Sequence, residues 1–186
     1  MNNRINSVSE ETKYTTVSIE EIQMMQELST AKSVMETVVP VSDHREIFGN
    51  RVATTKLLFV AHGEVRAGID LGELSPEDLL ITEGNKVVVN LPPAKIFSVT
   101  IDPDKSTVFD HSQGLLNLGP DTLPQLQLEA QSQATALLVN NACTNLLPVA
   151  NQQAEVILTG FLKGLGFEEV SVITSNQFVC SHPLDN

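Results

Sequence analysis

Four residues close together in the chain, His62, Glu64, Arg66 and Asp70, have the types and spacing to do chemistry. From Glu64 the alternation is strict. Val65, Ala67, Ile69 and Leu71 fall on one side of an extended chain, and Glu64, Arg66, Gly68 and Asp70 fall on the other. A carboxylate–guanidinium–carboxylate row of this kind can bind a cation or polarise a substrate. It can also be a solvated strand face whose opposite charges pair across a sheet, worth at most about 1 kcal/mol per pair, and this second reading carries more weight. Asp70 has a structural alternative of its own, capping the turn from Gly72 to Ser75. Asp102 is the fifth candidate, because Asp102-x-Asp104-x-Ser106-x-x-x-Asp110 echoes a calcium loop. The echo fails at the demanding positions, where Thr107 stands in place of glycine and Gln113 in place of glutamate.

Other familiar chemistries find no support in the spacing. The histidines, His44, His62, His111 and His182, share no ligand spacing, and no His-Glu-x-x-His occurs. Gly160, Gly164 and Gly166 fall at the end of a helix rather than after a strand, so they are not a phosphate loop. No catalytic residue, metal ligand or cofactor is therefore assigned. Cys143 lies in an apolar helical setting with no basic residue within ten positions, and reads as a buried, unactivated thiol. A disulfide between Cys143 and Cys180 is the alternative, open to a chain in an oxidising compartment.

The candidates must be held by secondary structure, and β patterning dominates the first two thirds. Ser18 with Glu20 and Glu21 opens a short helix running to about Leu28. Residues 32–42 read as a strand. The run Lys56 to Ala61 is apolar on both faces, as in a central strand, and His62–Gly63 then reads as a two-residue hairpin turn. One long strand kinked at Gly63 is the less favoured alternative. Ser75-Pro-Glu-Asp78 opens a single helical turn, strands follow at 79–82 and 86–91, and Pro92–Pro93 turns the chain. Further strands are expected at 94–102 and 106–110, separated by the turn Asp102-Pro103-Asp104.

From about residue 121 the pattern becomes helical. Leu123, Leu126, Ala130, Ala134 and Leu137 form one stripe. Two helices are expected, at 122–146 and 148–165, with Pro148 in the first turn of the second and Gly166 just past its end. A last strand follows from Phe167 to Thr174. The resulting fold class is α+β: a mostly antiparallel sheet covered by two C-terminal helices, with a short N-terminal helix. Residues 1–18 read as a flexible arm, 19–175 as a single domain, and 176–186 as a frayed tail.

Composition narrows the function classes. The 186 residues carry 23 Asp and Glu against 11 Lys and Arg, a net charge of −12, which argues against nucleic acid as a partner. Only Lys163 among the basic residues lies after residue 105. No apolar run is long enough for a membrane span, and no signal peptide is evident.

Several segments together resemble a known bacterial family, domain of unknown function 4230, in the form seen in photosynthetic organisms. They are Met25-Gln-Glu-Leu-Ser29, Lys56 to Leu71 with its Gly-Glu-Val-x-Ala-Gly-x-Asp-Leu core, Leu91-Pro-Pro-Ala94 with Ile101-Asp102, Ala150-Asn151, and Leu165-Gly-Phe167. The resemblance spans roughly residues 20–175. It implies a membrane association in the full-length form, through an N-terminal helix that this chain does not contain. It implies no activity. The expectation is a non-catalytic assembly or interaction module, as a homo-oligomer or with a protein partner. The alternative is a small-ligand or metal-binding protein, or an enzyme, using His62, Glu64, Arg66, Asp70 and Asp102.

Overall fold

The computed structural model describes residues 22–24, 26–47, 50–82, 85–112, 123–175, 178 and 180. The expected arm at 1–18, nearly all of the tail, and the turn residues Gly49 and Gly84 lie outside them. Seven strands and two helices account for most of the described chain: β1 (Glu27–Ile47), β2 (Asn50–Asp70), β3 (Leu79–Thr82), β4 (Lys86–Asn90), β5 (Lys95–Ile101), β6 (Thr107–Ser112), α1 (Leu123–Asn141), α2 (Leu147–Gly164) and β7 (Glu169–Ile173). The fold class is α+β. Two compact units form, each from separated stretches of chain. Unit one takes the described residues of Met1–Ala31, Ala67–Lys95 and Asn145–Cys180; unit two takes those of Lys32–Arg66, Ile96–Thr144 and Ser181–Asn186.

The expected hairpin at His62–Gly63 does not form. β2 runs unbroken from Asn50 to Asp70, and the kinked-strand alternative is the closer description. The reason is visible in the burial. Thr55, Leu57, Phe59, Ala61, Gly63, Val65, Ala67, Ile69 and Leu71 are all buried, an alternation that passes through Gly63 without a change of phase. Gly63 is a close-approach residue, not a turn residue, because the side chain of Leu138 on α1 fills the space beside it. β2 is central: the strand order is β1-β2-β5, and β6 also pairs with β2. The β2–β6 ladder is antiparallel, with a register shift between Leu58 and Phe59.

Two further expectations are corrected at the edges of elements. The N-terminal helix ends sooner than its apolar spacing suggested: residues 22–24 are helical, and Leu28 already belongs to β1. Gln26, at φ 46°, makes the change of direction, and its carbonyl accepts from Leu71 N at 2.6 Å.

In place of two helices, helical structure is continuous from α1 into α2 through a π-helical turn at Ala142–Leu146. Pro148 has no N–H and its ring conflicts with a regular i−4 carbonyl, so a widened turn just before it lets the helix continue where a straight α-helix would break.

Unit two packs the stripe of α1 onto its strands. Leu126, Ala130 and Ala134 close over Val39, Val41, Leu57, Phe59 and Ala61, with Leu123, Ile101 and Val108 at the margin. Leu138, rather than the expected Leu137, is the buried leucine, while Leu137 is 48% exposed.

In unit one, β3 pairs antiparallel with β4, and β4 pairs parallel with β7, Lys86 opposite Glu169 and Asn90 opposite Ile173. α2 lies against β7 and buries Leu147, Ala150, Asn151, Ala154, Leu158 and Leu162. It stops where expected. Gly166 takes φ 103°, Phe167 N donates to Leu162 O and Gly166 N to Lys163 O, which is a Schellman termination.

Neither cysteine is a free thiol. Cys143, half-buried in the π-helical turn rather than fully buried, is disulfide-bonded, and so is Cys180.

Candidate functional site

The five candidates divide between the units. His62, Glu64, Arg66 and Asp102 belong to unit two, and Asp70 to unit one.

In unit two, β1 supplies the partners that the sequence pattern did not reveal. Lys32 Nζ lies 2.7 Å from Glu64 Oε2, and Glu36 Oε2 lies 3.0 Å from His62 Nε2. All four side chains are at least one third exposed, so each pair contributes at most about 1 kcal/mol. Arg66 is exposed and makes no ion pair with a described residue.

Asp102 works as a turn residue. Its Oδ1 accepts from the backbone N–H of Asp104 at 3.0 Å and of Lys105 at 3.3 Å, and Lys105 Nζ reaches Oδ2 at 2.9 Å. The Lys105 hydrogen bond, against some desolvation and helped by the backbone donors, holds the Asp102 carboxyl below its usual range. The turn is fastened to β2 at His62. Asp102 N donates to His62 O at 2.8 Å, and His62 N donates to Ser106 Oγ at 3.0 Å. Ser106 Oγ in turn donates to Asp102 O at 2.6 Å. The oxygen-rich run 102–106 is thereby spent on turn closure, and Asp110 stands in β6. Among the described residues, no three His, Cys, Asp or Glu side chains are grouped to hold a metal ion.

Beside this turn, unit two has a half-open cleft of about 580 Å³. Phe59 and Ile101 line its apolar part; Gln127 and Gln131 of α1 face Ser106 and Val108 across it. Its lining is uncharged throughout. Its size falls within the range of small-molecule sites, and its chemistry is that of amides, hydroxyls and aliphatic groups rather than of acids and bases.

In unit one, Asp70 combines the capping role with an ion-pair cluster. Its Oδ1 accepts from Gly72 N at 3.0 Å, capping the 3₁₀ turn Leu71–Glu73. Its Oδ2 accepts from Lys95 Nζ at 2.8 Å, and Lys95 also reaches Glu73 Oε1 at 3.0 Å. Desolvation pulls the Lys95 pKa down, but the hydrogen bonds and charges of Asp70 and Glu73 outweigh it, and the net shift is upward.

Lys95 immediately follows the Leu-Pro-Pro-Ala turn, and that turn is held by Asn151, 4% exposed. Asn151 Oδ1 accepts from Ala94 N at 3.1 Å, and its Nδ2 donates to Ser175 O. Asn151 was not a site candidate in the sequence. Its signals were a single amide on an otherwise apolar helix face and its place in the Ala150-Asn151 segment of the family resemblance. It is a buried structural clamp, satisfied on both ends of its amide.

A family model described as Protein of unknown function (DUF4230) matches residues 20–172, and the chain belongs to that family. No curated protein and no solved structure matches it. Among the described residues, no helix is long and apolar enough to cross a membrane.

Proposed function

We propose that this family domain is a non-catalytic interaction module, which acts by assembling with a further copy or with a protein partner, and whose full-length form is membrane-associated. The outward face of α2 carries the reading. Val149, Val156 and Ile157 are 46%, 63% and 42% exposed there. Gly160 and Gly164 have nothing within 4 Å of where a Cβ would stand. Glycine inside an exposed helix costs roughly 0.5–1 kcal/mol relative to alanine, and packing among the described residues gives no reason for either. A docked surface gives one: exposed aliphatic groups beside small residues allow close approach. Within α2 only Glu155 and Lys163 are charged, so this face is nearly neutral in a chain of net charge −12. The disulfide-bonded cysteines favour an oxidising compartment, and the membrane attachment rests on the family resemblance.

The test is native mass spectrometry of the purified chain, with a metal scan on the same sample. A discrete oligomer without added mass supports the reading. A monomer near 20.2 kDa that carries a metal or a reproducible small-molecule adduct overturns it. Gly160→Leu sharpens the result: in open space it should stabilise the free chain while weakening a complex formed through this face.

The cleft of unit two supports a second reading, binding of a small uncharged ligand with both apolar and hydrogen-bonding groups. A reproducible adduct lost on Leu128→Arg, a lining residue, would favour it over the first.

A further inference from the structure

β1 is 21 residues long and stands at the end of the strand order β1-β2-β5. Among the described residues no strand pairs with its outer edge. Natural proteins blunt such edges with charges and proline, because unpaired backbone groups recruit another strand. β1 carries Lys32, Glu36 and Pro40 of that kind around the β-branched run Val34-Met-Glu-Thr-Val-Val39, and along one face it presents Lys32, Val34, Glu36 and Val38, all exposed. Val34 is 67% exposed and Val38 50%. Pro40 lies within the strand. A proline in an edge strand places its missing N–H on the open side. Residues of the same parity, Val34 among them, then direct their N–H and C=O groups outward.

We infer that two copies of this chain pair antiparallel through the outer edges of β1, about a two-fold axis at Val34. The charge order selects this register. With the axis at Val34, Lys32 of each copy stands opposite Glu36 of the other, and Val34 stands opposite Val34. An axis at Glu36 sets the two Glu36 carboxylates against each other, and an axis at residue 33 leaves both charges facing uncharged residues. The two-fold at Val34 also makes Val34 a hydrogen-bonded pair, as the outward direction of its backbone groups requires. Lys32 and Glu36 already lie against Glu64 and His62. Pairing two copies therefore joins the Lys32–Glu64 and Glu36–His62 contacts of both copies into one polar row. The inference rests on the assembly reading and adds to the α2 face a second surface, the edge of β1, with a second copy as its partner.

The experiment is sedimentation velocity at about 50 µM on the wild-type chain, Lys32→Glu, Glu36→Lys, and a 1:1 mixture of the two variants. Thermal melts confirm that each is folded. The wild type is expected near twice its monomer mass. Each single variant places like charges opposite one another twice and should dissociate about tenfold more readily. The mixture should recover the dimer, because an all-lysine strand then faces an all-glutamate one. A wild-type dimer unmoved by either charge swap but dissolved by Gly160→Leu overturns the β1 interface and leaves the assembly reading standing. A wild-type chain that is monomeric at this concentration overturns self-pairing. If the same sample also carries a ligand or metal, the assembly reading falls with it.

Discussion

Leu138 occupies the space that a side chain at residue 63 would need: a Cβ at Gly63 would overlap Leu138 Cδ1. Leu138 is fully buried and Gly63 sits mid-strand in β2, so neither can move far without disturbing the contact of helix and sheet in unit two. Gly63→Ala should cost about 1–3 kcal/mol by overpacking. Leu138→Ala alone should cost about 2–5 kcal/mol, because it opens a cavity. The double variant places a methyl where the leucine was, and should be more stable than the sum of the singles by about 1 kcal/mol or more. Urea unfolding of the four proteins measures this, and strict additivity would show that the two residues do not share one space.

Asn151 gives a prediction that can be read against pH. Replacing it with leucine leaves the Ala94 N–H without its acceptor, a loss of about 1–3 kcal/mol. Asn151→Asp keeps the shape but points a carboxylate at the Ser175 carbonyl in a buried position. Burial and that carbonyl should raise the pKa of the new acid in the folded state. Its folded pKa then exceeds its unfolded one, so the variant should lose stability as pH rises above about 4. Denaturation midpoints at pH 5 and pH 7.5 should differ in that direction for the variant, relative to wild type.

The Lys95 cluster bears on alkaline stability. Its folded pKa is raised from 10.5 through Asp70 and Glu73. The contribution is therefore fully present below the unfolded pKa and is lost as pH rises through the folded one. Lys95→Gln should be less stable than wild type at pH 8, and the gap should narrow as pH rises past the unfolded value and through the raised folded one. A gap that does not narrow at all as pH rises through the alkaline range would place the role of Lys95 in packing rather than in charge.

The cysteines can be tested without unfolding assays alone. With both disulfide-bonded, the intact mass should not change on treatment with iodoacetamide unless a reductant is added first. Reduction should then lower the unfolding midpoint, by an amount corresponding to roughly 2–4 kcal/mol. Alkylation of the unreduced, folded chain at either cysteine would contradict the bonding.

Local chemistry was legible in the sequence, and long-range pairing was not. The strand at 79–82, the helical turn opened by Ser75-Pro-Glu-Asp78, the turn at Asp102 and the positive φ of Gly166 each follow from a few adjacent residues. Gly63 misled because glycine serves both tight turns and close approach, and only the helix crossing it decides between them. The buried alternation runs without a break from Leu57 through Gly63 to Val65, which is the mark of one continuous strand. Pro148 misled because it ordinarily marks the first turn of a new helix, and the π-helical turn that accommodates it has no sequence signature of its own. For the candidate site, the capping role of Asp70 could be read from the glycine after it. Lys32, Glu36 and Lys95 could not be found as partners, because naming them requires the strand register.

The parallel pairing of β7 with β4 also has a consequence in time. During synthesis β4 leaves the ribosome long before the strand that covers it. About 80 residues separate Asn90 from Glu169, so at roughly 5–20 residues per second the open side of β4 waits about 4–16 s for its neighbour. Throughout that interval, unit one exists only as an incomplete nascent chain with a bare strand. Any premature stop before residue 169 would release it in that sticky form, and cellular quality control would meet it before the finished protein existed.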